Sequence, residues 1–599
     1  MTARLAHVAP WGTEIVDGGA RFRLWAPAQD TISVLSEDGT NIPMTKTDDG
    51  WFEGATDAVP VGDGYQFVLA DGMRVPDPAA RAQVGDVHGP SRLVDPKAYE
   101  WRNAGWKGRP WEEAVLYELH TGTFSPDGTF DGIAADLDRI ADAGVTAIEL
   151  MPVAQFGGTR GWGYDGVLHY APHAAYGGPE GLKHLVDEAH ARGLMVLLDV
   201  VYNHFGPDGN YLHLYAPDFF DTGRHTPWGP AIAFDRAPVR QFFVHNVLYW
   251  LEEFRFDGLR FDAIDHIKDP SDEEILAEMA RKVRAALPDR HIHLILEDCD
   301  NTTRLLKFDK ENHPRLFDAE WNDDWHHAMH ATLTNEDTGY YQDYADAPVR
   351  RLAKTMAQGH DYQGEPSAFR GLHKYGEPSA HLPPTAFIDF LQNHDQTGNR
   401  AQGDRITTLA SPEAVEAALA LLLLSPHIPL LYMGDEYGEQ RPFMFFTDFT
   451  GDLAKAVRKG RNLEFATNKS FADASAKGLV PDPNAIETFA ASKLAPETNA
   501  RTALIKRLIA TRFAHVVPRL AQIGGNAGKI MHMSDKAFTV RWTYPEGDAL
   551  QLTANLLDTP APWPTETRGL AFFTHPGDLD PTQGILPPWS VIAETIDRE

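Results

Sequence analysis

From about residue 112 the chain repeats one pattern, an apolar run followed by a loop and then an amphipathic stretch. The runs are VLYEL (Val115 to Leu119), TAIELM (Thr146 to Met151), LMVLLDV (Leu194 to Val200), GLRFD (Gly258 to Asp262), HLILE (His293 to Glu297), RLFDAEW (Arg315 to Trp321), TAFIDFL (Thr385 to Leu391) and IPLLYM (Ile428 to Met433). Several are apolar without a break, as parallel strands covered on both faces require. Between them, Leu182, Leu185, Val186 and Ala189 form one stripe and Phe243, Val247, Trp250 and Phe254 another, at the spacing of helices with one buried face. Eight such units predict an α/β fold, a closed parallel (β/α)8 TIM barrel. Long excursions interrupt it at 202–236, 335–383 and 434–498.

The flanks follow a different period. Residues 1–96 carry short alternating runs, RFRLWAP (Arg21 to Pro27), TISVL (Thr31 to Leu35) and YQFVLA (Tyr65 to Ala70), between Gly, Pro and Asp clusters, and predict an N-terminal β-sandwich. Its last part, Val75 to Pro96, is rich in turn formers and reads as a linker packed on the next domain. The catalytic barrel with its insertions is expected over 97–515. Alternation returns in KAFTVRWTY (Lys536 to Tyr544) and ALQLTANLL (Ala549 to Leu557), so 516–599 reads as a C-terminal antiparallel β domain. A length of 599 residues suits three such units better than one core.

Charge narrows the partners. The net charge of -31, from 54 basic and 85 acidic side chains, argues against nucleic acid and anionic membrane surfaces and suits a neutral substrate. The single cysteine, Cys299, excludes an internal disulfide and a Cys-based zinc cluster and favours a reducing compartment. The first residues lack a signal-peptide pattern, and no uncharged apolar run reaches the roughly 20 residues of a membrane helix, so a cytoplasmic location is expected.

The chemistry sits at the strand ends. In FDGLRFDAIDH (Phe256 to His266), alternation points Arg260 and Asp262 to the same face. A lone Arg-x-Asp pair more often stitches a strand end to a helix. Three further strand ends, LLDVVYNH (Leu197 to His204), HLILED (His293 to Asp298) and FLQNHD (Phe390 to Asp395), are charged in the same way, and barrel enzymes gather their chemistry at C-terminal strand ends. Asp199, Asp262, Glu297 and Asp395 are therefore expected at one mouth with Arg260, His204 and His394. The chain has no HExxH helix, Walker loop or strand-linked GxGxxG, which weakens metalloprotease, P-loop and Rossmann readings. Carboxylates without a cofactor motif suit acid-base or nucleophilic chemistry on an uncharged substrate, which glycosyl transfer needs. No cofactor or metal is expected, and no complete Asp-rich calcium loop is found. Aromatic loops such as GWGYDGV (Gly161 to Val167), HTPWGPAIAFD (His225 to Asp235) and EWNDDWHH (Glu320 to His327) can stack sugar rings or plug the barrel top.

DVVYNH, GLRFDAIDH, LILED and FLQNHD resemble, in order and on the third, fourth, fifth and seventh strands, the four motif regions of the α-amylase superfamily of glycoside hydrolases. The resemblance implies Asp262 as nucleophile, Glu297 as general acid/base and Asp395 as the carboxylate that holds sugar hydroxyls in the distorted transition state. It also implies that Arg260 keeps Asp262 ionised, that His204 and His394 hydrogen-bond the ring in the cleavage subsite, and that Tyr164 stacks beneath it. Asp199 and Asn203 are expected to brace loops.

ELHTGTFSPDGTF (Glu118 to Phe130), MPVAQFGGTRGWGYDGV (Met151 to Val167), DDWHHAMH (Asp323 to His330), YQGEPSAFRG (Tyr362 to Gly371), NHDQTGNRAQGDR (Asn393 to Arg405) and FMFFTDF (Phe443 to Phe449), with the N-terminal β module, are similar to the maltooligosyltrehalose trehalohydrolase family. What this implies is retaining hydrolysis of the α-1,4 bond next to the terminal trehalose of maltooligosyltrehalose, a substrate made by a synthase, with Trp228, Phe369 and Arg370 in substrate-contacting loops. The chain departs from the family after Asp262, where A-V-H-A is common and Ala263, Ile264, Asp265 and His266 stand instead. His266 therefore joins the substrate-binding candidates, and the trehalose end is expected to be recognised differently. An α-glucan branching or debranching enzyme, which also carries an N-terminal β module, remains an alternative. So does a catalytically inactive glucan-binding protein, against which all three carboxylates speak.

Overall fold

Eight parallel strands close into a barrel in the order of the chain. They are β1 (Leu116–Leu119), β2 (Ala147–Leu150), β3 (Met195–Val200), β4 (Gly258–Phe261), β5 (His293–Leu296), β6 (Ala319–Trp321), β7 (Phe387–Phe390) and β8 (Ile428–Tyr432). Each lies within the run that predicts it, and β1 pairs with β8, Leu116 facing Leu430, to close the ring. The structure, a computed structural model, describes residues 2–467, 480–563, 569–577, 579 and 584–598. Residues 468–479 of the last predicted excursion lie outside the described residues.

A strand's period of two sorts its side chains between the barrel interior and the helices. Leu116, Ala147, Met195, Leu197, Ile295, Ala319, Trp321, Ile388, Phe390 and Leu430 fill the interior in one apolar cluster. The same parity carried to the strand ends turns Glu118, Glu149, Asp199 and Arg260 inward as a polar top layer, all of them buried. Asp199 faces Arg260 across the β3–β4 ladder, and Arg260 faces Ile295 across β4–β5. Asp262 and Glu297 come one residue after their strands end, at the mouth of the barrel.

Helices cover the outer face. Leu182, Leu185, Val186 and Ala189 of the helix Gly178–Ala191 are buried, as are Phe243, Val247 and Trp250 of the helix Ala237–Glu252. The excursion after β3 folds into a two-stranded hairpin, Phe220–Thr226 with Gly229–Ile232, whose turn carries Trp228.

The N-terminal residues form two antiparallel sheets. One orders Gly12–Val16, Gly19–Trp25, Trp51–Thr56 and Thr45–Lys46; the other is built on Ser33–Ser36 and Gly64–Val68. They pack face to face: Phe22 of the first meets Tyr65 of the second edge to face at 5.0 Å. Within the predicted linker, Asp77, Ala80, Arg81 and Val87 are buried. At the C-terminal end, Gly528–Met533, Ala537–Thr543, Ala549–Asn555, Ser590–Ile596 and Leu570–His575 form a five-stranded antiparallel sheet in that spatial order.

Candidate active site

Arg260 is the centre of the barrel mouth. Its Nη1 donates to Asp199 Oδ2 at 2.7 Å and to Asp262 Oδ1 at 2.9 Å, and its Nη2 lies 2.8 Å from Glu297 Oε2. The guanidinium lies over the Trp321 ring at 4.1 Å, which holds its plane. One cation thus orients three buried or partly buried carboxylates. Asn203 donates from Nδ2 to Asp262 Oδ2 at 2.8 Å and to the Asp262 carbonyl at 3.2 Å, leaving that carboxylate few rotational options. Tyr164 donates to Asp199 Oδ2 at 2.6 Å. Asp199 and Asn203 therefore brace the site itself, where loop bracing was expected.

The backbone between the two central carboxylates is strained. Ala263 follows Asp262 with φ 42° and ψ 56°, a left-handed conformation that a residue with a Cβ adopts at a cost. That kink turns the Ala263 N–H onto Glu297 Oε2 at 2.8 Å. Burial pushes Glu297 above the usual glutamate range; Arg260 opposes the shift and the Asp262 charge adds to it. Asp199 is pushed up to about 7 by burial, against the pull of Arg260.

Asp395 stands on the opposite wall. Asn393 caps the helix His394–Gly398, its side chain accepting from the Asp395 and Gln396 N–H groups, so Asp395 is the first acid of a helix N-terminus. Asn399 donates to its Oδ1 at 2.7 Å, and its side chain remains 47% exposed. It sits low in a cleft walled by protein, which raises its pKa in spite of that open face, and His394 pulls it back. His394 is paired through Nδ1 with Glu118 and stacks on Tyr164 at 5.0 Å. Burial works against its proton, but Glu118 prevails and raises the imidazole to about 9, so it is a cation at neutral pH.

His204 differs. Its Nε2 is 3.0 Å from the Tyr164 carbonyl, and burial lowers it to about 4, a neutral ring. Trp228 lies flat on it, centroids 4.3 Å apart and planes 8° apart, and the His266 ring meets Trp228 at a right angle, 5.2 Å between centroids. Phe369 and Arg370 line a pocket together with Glu297 and Asp395. Arg370 donates to Asp300 Oδ1 at 2.7 Å and covers the Tyr375 ring at 4.0 Å. Of the eleven candidate residues, Glu297, Asp395, Phe369 and Arg370 line this pocket, and Asp262, Arg260, Tyr164, His394, His204, Trp228 and His266 are connected to one another or to Glu297 by side-chain contacts.

Four residues escaped sequence reasoning. Glu118 acts on His394 from β1, and Glu149 from β2 has no partner for either carboxylate oxygen among the described residues, with burial and the neighbouring Glu118 raising its pKa. Asp323 and His327 line the pocket that Glu297 shares. The inward parity of β1 and β2 could have found the first two; the other two lie in EWNDDWHH, where the aromatics drew the reading. Among the described residues no group of three or more His, Cys, Asp or Glu side chains is arranged to hold a metal ion.

The family model for the alpha amylase catalytic domain matches residues 90–215, and that for a domain of unknown function, DUF3459, matches 529–593. A malto-oligosyltrehalose trehalohydrolase of Rhizobium sp. (strain M-11) is 38% identical over 597 residues, covering 96% of this chain and 97% of that one. Its counterpart in Saccharolobus solfataricus is 40% identical over 493 residues, 82% of this chain and 84% of the relative. A crystal structure of a Salmonella typhimurium protein provisionally called an alpha amylase matches with a TM-score of 0.94 and 49% identity, over 98% of this chain and 100% of that one. With sequence similarity of this depth running through barrel and flanks alike, the chain belongs to the malto-oligosyltrehalose trehalohydrolase family.

Proposed function

We propose that this protein is a retaining glycoside hydrolase that cleaves the α-1,4-glucosidic bond next to the terminal trehalose of maltooligosyltrehalose and releases trehalose. The observation that carries the reading is a single guanidinium, that of Arg260, bonded at once to Asp262 and Glu297. Two carboxyl groups held by the fork of one arginine are close, which is the arrangement of retaining enzymes, about 5–5.5 Å, rather than the wider gap that an inverting enzyme leaves for water.

In this reading Asp262 is the nucleophile. Arg260 and Asn203 aim it at the anomeric carbon while Glu297, whose pKa burial and the Asp262 charge raise, gives its proton to the glycosidic oxygen. A β-linked glycosyl-enzyme forms on Asp262, whose charge is thereby cancelled. One cause of the raised Glu297 pKa disappears with it, so Glu297 is set to take a proton from the water that attacks next. Asp395, on the far wall, suits the sugar hydroxyls, with His394 as a cationic donor and Tyr164 as the stacking face. Trp228, His266, Phe369 and Arg370 suit the rings further along the cleft.

A substrate made by a maltooligosyltrehalose synthase couples the two enzymes, and the single cysteine fits a cytoplasmic setting. Among the described residues no helix is long and apolar enough to cross a membrane.

Incubation with maltotriosyltrehalose and, separately, with a maltooligosaccharide of similar length tests the reading. Trehalose and maltotriose from the first, with little cleavage of the second, is the expected result. Equal or faster cleavage of the plain maltooligosaccharide, or cleavage of an α-1,6-linked glucan, would assign the protein to the amylases or the debranching enzymes.

A further inference from the structure

The excursion that follows β8 reaches back to the site. Phe443 stacks on the Trp162 indole at 5.4 Å, Phe445 meets it edge on at 5.2 Å, and Trp162 Nε1 donates to the Met444 carbonyl at 3.0 Å. The same indole lies against Gly398 so closely that it leaves no room for a Cβ there. Gly398 ends the short helix His394–Gly398, whose first turn carries Asp395. Further along the excursion, the helix Gly451–Thr467 brings Arg461 to that same C-terminal end.

The Arg461 guanidinium is well held. It lies over Phe445 at 5.0 Å and Phe465 at 4.5 Å, and the exposed Glu464 accepts from its Nη1 at 3.1 Å. Burial works against its charge, which Glu464 and Asp395 support. Nη2 donates to the Gly398 carbonyl at 2.5 Å, one of the last carbonyls that a helix leaves without an internal partner. Nη1 donates to Asn399 Oδ1 at 3.2 Å, and Asn399 donates in turn from Nδ2 to Asp395 Oδ1 at 2.7 Å.

The order of these two bonds is set by chemistry. A guanidinium has donors and no acceptor, so the amide facing it must present its oxygen, and its NH2 is then left for the carboxylate. Turned over, the same amide would point its NH2 at Arg461 and its oxygen at Asp395, two repulsive contacts in place of two hydrogen bonds. We propose that Arg461 is a positioning residue for Asp395: it locks the Asn399 amide in the one orientation that donates to the Asp395 carboxylate, and so aligns that carboxylate for the reaction. The inference rests on the function proposed above for the part that Asp395 plays. Neither Arg461 nor Asn399 is among the described residues that line the pocket shared by Glu297 and Asp395, so the two serve the carboxylate there and not the sugar.

A carboxylate held by an amide of set orientation is aligned before substrate arrives, whereas one beside an amide free to turn must be ordered during the reaction. The hydroxyl contacts that Asp395 makes with a distorted ring strengthen toward the transition state, so loss of alignment falls on kcat more than on KM.

Steady-state kinetics of folded variants tests this chain of three residues. The rates are read on whichever of maltotriosyltrehalose and the plain maltooligosaccharide the wild type cleaves, which keeps failure of the substrate assignment separate from failure of this inference. Arg461→Met, which keeps a long side chain against Phe445 and Phe465, is expected to lower kcat about tenfold with KM within about threefold, and Asn399→Ala to do the same. The double variant is expected to lie within about twofold of either single one, because each removes the same link. Arg461→Lys, which keeps a cation that can only donate, is expected to recover to within about threefold of wild type. A wild-type kcat in Arg461→Met, or a double variant slowed about a hundredfold, the product of two independent losses, would overturn the inference.

Discussion

A carboxyl group that must deliver a proton and then recover one needs neighbours whose charge changes in between, and Glu297 has one in Asp262. Asp262→Asn removes the nucleophile while keeping its size and its place between Arg260 and Asn203. Turnover of maltotriosyltrehalose is expected to fall by a factor on the order of 10³ or more, with the unfolding temperature little changed. Near-wild-type kcat in a refolded, correctly sized variant would remove Asp262 from that role.

His394 offers a pH prediction. Its folded-state pKa of about 9 lies above the ordinary 6.5, so its proton stabilises the native state fully below about pH 6.5, and that contribution fades as pH rises through about 9. Glu118→Gln removes the charge that raises it, and burial then favours the neutral ring. The variant should be less stable than wild type by on the order of 3 kcal/mol near pH 7, and the gap should narrow above pH 9. Denaturant unfolding at several pH values measures this, and a gap of constant size from pH 6 to 10 would contradict it. Asp262, Glu297 and Asp395 were legible because each directly follows, or lies close behind, an apolar run in a recognisable motif. Glu118 and Asp323 were not, because their importance comes from what lies opposite them in space: a histidine of the β7 loop for one, and a pocket wall for the other.

At the scale of elements, apolar runs placed all eight strands, since a strand buried on both faces leaves an unbroken signature in the sequence. The widest gap at a strand start is at β6, predicted from Arg315 and found from Ala319. There Asp318 accepts from the Leu294 N–H at 2.7 Å in place of a ladder bond, a side-chain interaction that a hydropathy pattern does not register. The hairpin between Phe220 and Ile232 was legible only as a long excursion, because its strands are short and largely polar.

That hairpin exists to present its turn. Trp228 is 49% exposed yet ordered by the face of His204 and the edge of His266, so its position does not depend on core packing. Trp228→Ala should therefore leave stability within about 0.5 kcal/mol and weaken substrate binding, raising KM for maltotriosyltrehalose about tenfold with kcat within about threefold. Steady-state kinetics decides: an unchanged KM beside a large fall in kcat would place Trp228 outside substrate binding and make it a support for His204.

At the scale of the molecule, the question is what seats the N-terminal sandwich on the barrel, and Arg81 supplies a buried ionic contact to it. The sequence marked its segment as a packed linker, but the partner lies 172 positions away in the chain. From within that segment the guanidinium donates to Glu253, which follows the helix Ala237–Glu252, through Nε at 3.1 Å and Nη2 at 3.1 Å. Its remaining N–H groups reach the Thr13 carbonyl at 3.0 Å and the His7 carbonyl at 2.7 Å. Both side chains are buried, and the His7 N–H donates to Glu253 Oε2 at 3.0 Å, so one ion pair ties the first strand, the linker and the barrel together. A buried pair of this kind adds little over an apolar contact when intact but costs about 3–5 kcal/mol when one member is removed. Arg81→Met leaves Glu253 with Lys183 at 3.7 Å as its remaining cation, and strands two carbonyls. The loss falls on the junction, so the sandwich should detach before the barrel unfolds, splitting one calorimetric transition into two. Adding Glu253→Gln removes the stranded charge and should restore part of the lost stability, giving a coupling energy of several kcal/mol in a double-mutant cycle. If Arg81→Met unfolds in one transition within about 1 kcal/mol of wild type, the apolar contacts around Trp11 and Phe242 hold the two units together without it.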